Sequence, residues 1–235
     1  MPAKASKPTI RMCIDKVLTP AQLIKSGKRA IEENYRNLPA LGAGLRSMGP
    51  SLPNHTRMAL EAAKEWGPGR DLRVRFVGGQ TAVKTKIADI AQEWSQYAKV
   101  NLLFNEHPKA EIRIAFDTKD GSWSYVGMDA LAFPPSQPTM NYGWLTPTTE
   151  LDEYKRVVLH EFGHALGCIH EHQHPKAGIP WDKPKAYAYY KATNGWSPAE
   201  VDEQVFGRYD VSTTNFSAYD KKSIMHYAVD DSLTI

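Results

Sequence analysis

The chain has 235 residues, of which 42% are hydrophobic and 23% are charged, a composition typical of a folded globular protein rather than a disordered one. Its 29 lysine and arginine residues nearly balance its 26 aspartate and glutamate residues, so the net charge of +3 does not favour a nucleic-acid-binding protein. Two cysteines, Cys13 and Cys168, exclude a fold built on several disulfides and leave a single bridge between them open.

No segment has the pattern of a membrane span or a Sec signal peptide. Residues 130–149 lack charged side chains, but four prolines break any spanning helix there. Residues 1–16 contain no apolar run of about seven residues, the minimum for a signal peptide. The compartment is left unassigned, because another route of export or prior removal of a signal would agree with the same sequence.

The chain divides into an N-terminal extension, residues 1–58, and a denser domain, residues 59–235. In the extension, Thr19 as cap and Pro20 in the first turn predict a helix over residues 20–37. Residues 38–54, with three prolines and three glycines, predict an irregular linker.

Strands and helices are mixed along the second part of the chain. Alternating or apolar runs predict strands at residues 72–77, 101–105, 111–116, 122–127 and 139–145. Helical periodicity predicts helices at residues 57–66, 82–98, 151–168 and 183–192. This order predicts an α+β fold in which helices interrupt a small sheet.

Five of the eight histidines lie between residues 160 and 174, and three of them form the pattern H-E-x-x-H-x-x-G-x-x-H. On a helix, His160 and His164 lie four residues apart on one face, so both imidazoles can reach one metal ion. Glu161 follows the first of them and can reach a water on that metal. Gly167 permits a sharp turn that brings His170 back as a third ligand. Three neutral ligands leave one position for water, as in a catalytic zinc site.

A short H-E-x-x-H also arises by chance on a solvated helix face, but the eleven-residue form on an amphipathic helix is far more specific. His172 and His174 follow at once. They are interpreted as loop histidines outside the site.

A methionine turn, Ser223-Ile224-Met225-His226-Tyr227, follows the zinc motif, and the two together are typical of metzincin metalloproteases. Within that clan the chain resembles the astacin family, because Glu171 follows His170 and Trp123-Ser124-Tyr125-Val126-Gly127 precedes the motif. The run 160–167 alone also resembles the matrix metalloprotease helix. Residues 72–76, 139–145 and 168–173 are similar to bacterial and fungal astacin-like peptidases, and the resemblance covers about residues 57–229.

The resemblance implies a metzincin-type fold: a twisted, mostly parallel sheet, two long helices above the cleft and a loop-rich lower subdomain. It implies a zinc-dependent endopeptidase that hydrolyses peptide bonds of a protein or peptide substrate through a metal-activated water. It further implies roles for individual residues. His160, His164 and His170 would be the Zn²⁺ ligands, Glu161 the general base, and Met225 the residue beneath the metal. Tyr227 would stabilise the oxyanion, Glu171 would face the N-terminus of the mature enzyme, and residues 139–145 would be the edge strand that pairs with substrate.

Some features depart from the family. The paired cysteines of astacins are missing, and the chain ends eight residues after Tyr227, which leaves open a reduced lower subdomain or a cut sequence.

An inactive zinc-binding module and a hydrolase of non-peptide amides are the alternative functions. The presence of Glu161 argues against the inactive module. Residues 1–58 are a candidate pro-segment, in which Cys13 or Asp15 would block the metal, or else they simply pack on the domain.

Overall fold

A computed structural model describes residues 13–14, 16–34, 37, 59–61, 64–209 and 214–235. A five-stranded sheet forms the upper half of the molecule, with the strand order β3-β2-β4-β6-β5. Four strands run parallel, and β5 at one edge runs antiparallel to β6. The predicted mostly parallel sheet is confirmed. Its strands are β2 (Arg70–Phe76), β3 (Val100–Phe104), β4 (Ile112–Ala115), β5 (Ser122–Ser124) and β6 (Met140–Tyr142).

Two helices of this half, α2 (Thr81–Ala91) and α3 (Leu151–Ala165), pack on each other and on the sheet. Their apolar faces bury Ile87 and Phe162 in one core with Leu72 and Ile114 of the strands. Burying a side chain of this size stabilises the fold by about 1.5–3 kcal/mol, so this core fixes α3, the helix that carries the histidine motif. None of the helices in the described ranges is both long and apolar enough to cross a membrane.

The lower half consists mostly of the chain after α3 and is rich in loops. It contains α4 (Lys183–Asn194), the short α5 (Pro198–Val201) with a π-helical turn (Asp202–Phe206), and a ribbon of β1 (Ala59–Glu61) with β7 (Thr214–Phe216). A second apolar cluster holds it together: Ala186, Tyr190, Trp196, Val201, Val205 and Leu233. Short 3-10 turns complete the fold at Gln92–Gln96, Gly127–Ala132, Glu171–Gln173 and Asp231–Leu233.

In the N-terminal extension, α1 (Pro20–Glu33) begins at a capping box between Thr19 and Gln22, as the sequence predicts, and ends four residues early. It packs on the turn Gly127–Ala132, where the Ser26 hydroxyl donates a hydrogen bond to Asp129 at 2.5 Å. The predicted linker, residues 38–54, lies outside the described residues.

Other sequence predictions were also wrong in detail, among them the helix at residues 82–98, which ends at Ala91 and continues as a 3-10 turn over Gln92–Gln96. Residues 59–61 form a strand rather than part of a helix, because they pair with the distant β7 and this tertiary contact outweighs the local pattern. Helix α3 ends at Ala165 rather than Cys168, since Gly167 takes a φ of +105°. Residues 139–145 are not the edge of the sheet: β6 lies between β4 and β5, so the edge strand is β5.

Candidate metal centre and catalytic site

Three buried imidazoles converge at the end of α3. His160 and His164 lie one turn apart on the helix, and His170 returns after the turn at Gly167. Their Nε2 atoms lie 3.1 Å from one another in all three pairs. Two ligands about 2.0–2.1 Å from a tetrahedral zinc ion are about 3.3 Å apart, so the three nitrogens are spaced as a zinc site requires. In the described part of the chain this is the one such group of three or more metal-binding side chains.

Hydrogen bonds on the other ring nitrogens orient two of these imidazoles. Nδ1 of His160 donates to the carbonyl of Ile224 at 2.8 Å, and Nδ1 of His164 donates to the carbonyl of Cys168 at 2.9 Å. A proton on Nδ1 leaves the lone pair of Nε2 free for a metal ion, and it also fixes the ring plane. The donor set and its supporting carbonyls therefore fit Zn²⁺.

The methionine turn packs beneath the histidine helix. Met225 is fully buried against Gly163, where an added Cβ would collide with the Met225 sulfur. The carbonyl of Met225 accepts a hydrogen bond from the Glu171 amide at 2.9 Å. The Glu171 carboxylate in turn accepts one from the Asp220 amide at 2.9 Å. These contacts join the turn to the segment that carries His170.

Glu161 is fully buried beside the histidines, and the N-terminal extension reaches it. Cys13 forms a parallel bridge with Ser122 on the edge strand β5, and the Ile14 amide donates to the Ser122 carbonyl at 3.1 Å. Burial raises the pKa of the Cys13 thiol well above its usual value, and the nearby charge of Glu161 raises it further. The Cys13 side chain is therefore within electrostatic reach of the Glu161 carboxylate.

Tyr227 lies between the histidines and the extension. Its ring centroid is 4.2 Å from that of His170, and its hydroxyl donates a hydrogen bond to the Cys13 carbonyl at 2.7 Å. The same ring stacks on His172, with centroids 4.2 Å apart and planes 18° from parallel. Sequence analysis missed this contact, because nothing in the spacing of the motif indicates which ring covers the tyrosine.

His172 and His174 are buried and outside the group of three converging nitrogens. Nε2 of His172 donates to the Gln204 carbonyl at 2.9 Å, and Nε2 of His174 donates to the Ser217 carbonyl at 3.1 Å. Both rings therefore tie the segment after His170 to the lower half. Neither ring belongs to the group of three, as the sequence predicts, but the ring of His172 also contacts Tyr227.

The two cysteines are both free and buried, so no bridge joins them. Burial, followed by the charge of Glu171, raises the pKa of Cys168 to about 12. A thiol held in this protonated form is chemically inert at neutral pH.

Residues 59–232 match the family model described as Astacin (Peptidase family M12A). The chain belongs to the astacin family. The predicted resemblance to astacins and the α+β zincin fold are confirmed, and the matched family is a peptidase family, in agreement with the predicted class of enzyme. The three converging histidines could hold the predicted zinc ion.

Two solved structures of myroilysin are similar to the chain. One is 46% identical, covers 75% of this chain and 86% of its own, and superposes with a TM-score of 0.74. The other is 43% identical, with coverages of 74% and 77% and a TM-score of 0.57. The zinc metalloproteinase dpy-31 of Teladorsagia circumcincta is 28% identical over 174 residues, which are 70% of this chain and 24% of that protein. The chain thus spans about a quarter of this curated relative.

Proposed function

We propose that the chain hydrolyses peptide bonds as an endopeptidase in which His160, His164 and His170 hold Zn²⁺. The observation that carries this proposal is the convergence of three Nε2 atoms at 3.1 Å, beside a buried carboxylate. Zinc bound there would supply a water of lowered pKa and a Lewis acid for the scissile carbonyl.

The surrounding side chains have the chemistry for the remaining steps. Glu161 accepts a proton from the attacking water and delivers it to the leaving amine, as a general base and then a general acid. The Tyr227 hydroxyl, next to His170, donates a hydrogen bond to the oxyanion once the Cys13 carbonyl has left it. Residues 59–235 form the catalytic domain in this proposal.

The substrate binds as an added strand along β5. This edge already pairs with a segment from outside the sheet, since the Ile14 amide of the extension donates a hydrogen bond to the Ser122 carbonyl. An extended peptide in the same place gains main-chain hydrogen bonds whatever its side chains are, so the substrate class is an unfolded or loop segment of a protein.

The N-terminal extension, residues 1–58, acts as an inhibitory pro-segment through Cys13. Two observations support this role: the Cys13 side chain is within electrostatic reach of Glu161, and the Cys13 carbonyl accepts a hydrogen bond from the Tyr227 hydroxyl. Both proposed catalytic side chains are therefore engaged by one residue of the extension. Asp15, the other candidate blocking residue, lies outside the described residues.

Glu161→Gln tests the proposed role of Glu161 in proton transfer. Its activity on casein is expected to fall by about two to four orders of magnitude, the usual contribution of a general base, while zinc content stays unchanged. Asp152→Asn is the control, because Asp152 is exposed on the same helix. Full activity of Glu161→Gln would contradict the proposed role of Glu161. A parent protein that does not cleave casein would contradict the proposed endopeptidase activity.

Cys13→Ala tests the inhibitory extension. In the full-length chain it is expected to raise the activity on casein several-fold, because the blocking contact with Glu161 is lost. Cys168→Ala removes the other buried cysteine and is expected to leave activity unchanged. If the Cys13 variant is folded but no more active than the parent, the extension has a structural role only.

A further inference from the structure

A cavity of about 680 Å³ opens between helix α1 and the sheet, and its walls are strongly basic. The helix contributes one wall, and β2, the start of β4 and the loop up to Pro135 contribute the others. Six side chains bring positive charge: Lys25, Arg29, Arg70, Arg73, Lys109 and Arg113. Three bring negative charge: Glu32, Glu33 and Glu111.

Two of the three carboxylates are already neutralised. Arg70 pairs with Glu33 at 2.5 Å and with Glu111 at 3.0 Å, and Arg73 also pairs with Glu111. Among the described residues that line the cavity, Glu32 is then the one carboxylate left to balance the four remaining cations. The ammonium group of one of these, Lys25, donates to the Ala132 carbonyl at 2.7 Å.

Arg113 is the buried member of this set. Its guanidinium donates to backbone carbonyls, among them that of Ala110 at 2.7 Å and that of Gln137 at 2.5 Å. No carboxylate of the described residues lies within ion-pair distance of it. Its charged neighbour Arg75 donates to the Pro135 carbonyl at 2.8 Å, and within the described ranges the Arg75 Nε has no hydrogen-bond partner. Burial and then the charge of Arg75 lower the pKa of Arg113 to about 10.

The parts of the chain outside the described ranges are poor in acidic residues. Residues 1–12 and 38–58 contain no aspartate or glutamate at all. Asp15 and Asp210 are the only acidic residues outside the described ranges. Arg113 is a buried cation without an ion-pair partner among the described residues, which is costly, and the exposed Lys25, Arg29 and Lys109 line the same cavity. A site of this composition favours an anion from outside the chain.

We infer that this cavity binds a small molecule with two or more phosphate or sulfate groups. Arginine side chains present forked donors that match tetrahedral oxyanions, and the cavity has the volume of an ordinary ligand site. Lys25 and Arg29 come from the extension, whereas Lys109 and Arg113 come from the catalytic domain. A bound anion therefore bridges the two parts, and it is independent of the metal centre.

The test is isothermal titration of the full-length protein with glucose 1,6-bisphosphate and, separately, with a trisulfated heparin disaccharide. We expect at least one of the two ligands to bind saturably, with an affinity that falls when salt is added. The ligand that binds more tightly shows whether the site prefers phosphate or sulfate groups. Arg29→Ala and Lys109→Ala are each expected to weaken it about tenfold or more. Lys28→Ala is the control, because Lys28 is exposed on α1 outside the cavity. Absence of binding by both ligands, or an equal loss in Lys28→Ala, overturns the inference.

Discussion

At the level of single residues, Tyr227 connects the N-terminal extension with the metal-binding histidines. Its hydroxyl bonds to the Cys13 carbonyl, while its ring contacts His170 and His172. The ring contacts hold the side chain in place, and the hydroxyl is the part with a proposed chemical role. Removing only the hydroxyl therefore separates its chemical role from the structural role of the ring.

Tyr227→Phe is expected to lower kcat of the activated enzyme by about tenfold to a hundredfold and to change KM little, because the lost donor acts mainly on the oxyanion. Steady-state kinetics on a peptide substrate measure both constants. Tyr219→Phe is the matched control, since its hydroxyl bonds to His226 and not to a proposed metal ligand. A loss expressed entirely in KM would contradict the role given to Tyr227.

Motif spacing predicted that the histidines converge, because spacing on a helix determines which side chains can meet. Tyr227 was predicted from the resemblance to astacins alone. Sequence analysis did not find that the Cys13 carbonyl accepts the Tyr227 hydroxyl or that His172 covers Tyr227. These contacts join residues far apart in the chain or depend on ring orientation. Both are set by packing rather than by any local pattern.

Among the elements, Glu111 ties β4 to its neighbours. It precedes β4, and its carboxylate accepts bonds from Arg73 of β2 and from Arg70, which also pairs with Glu33 of α1. Burial raises the pKa of Glu111, but the hydrogen bonds from Arg73 outweigh burial, so the net pKa is lowered. A carboxyl with a lowered pKa stabilises the fold above its unfolded pKa, and this stabilisation is lost as pH falls through the folded pKa.

Glu111→Gln is expected to lower the free energy of unfolding by about 3 kcal/mol at pH 7, because it breaks a buried ion pair. The difference from the parent should shrink below about pH 4, because the carboxyl of the unfolded chain is then protonated while the lowered pKa keeps Glu111 of the folded protein ionised to more acidic pH. Denaturant unfolding at both pH values measures this. Glu33→Gln, which removes a more exposed partner of Arg70, should cost only about 0–1 kcal/mol. A constant difference across this pH range would contradict the role of the Glu111 charge.

The elements were predicted best where their pattern is long. The periodicity of α3 and the alternation of β2 placed both within a few residues of their ends. The three-residue strands β1, β5 and β7 carry too little pattern to predict their pairing, and the order of strands in a sheet is a tertiary property. The edge strand was misassigned for this reason.

In the molecule as a whole, the metal centre connects three segments: α3, the turn with His170, and the methionine turn that supports His160 through the Ile224 carbonyl. Zinc that binds the folded chain more tightly than the unfolded one must stabilise the fold.

Removal of zinc by a chelator is expected to lower the unfolding temperature by about 5–10 °C. Free zinc at a hundred times Kd adds about 2.7 kcal/mol, and each kcal/mol shifts Tm by about 2–4 °C in a protein of this size. Thermal scanning with and without 1,10-phenanthroline measures the shift. Glu161→Gln should respond like the parent, whereas His164→Ala should not respond. An equal response of His164→Ala would mean that the metal binds elsewhere.

The β1–β7 ribbon and the methionine turn also bear on the order of events during synthesis. Ala59 pairs with Phe216, and His160 receives its supporting carbonyl from Ile224. A ribosome releases the strands β2 to β6 long before it reaches either partner, so the sheet can form while the histidine rings still lack their final orientation. We therefore expect His160 to take its final orientation only after Ile224 has left the ribosome.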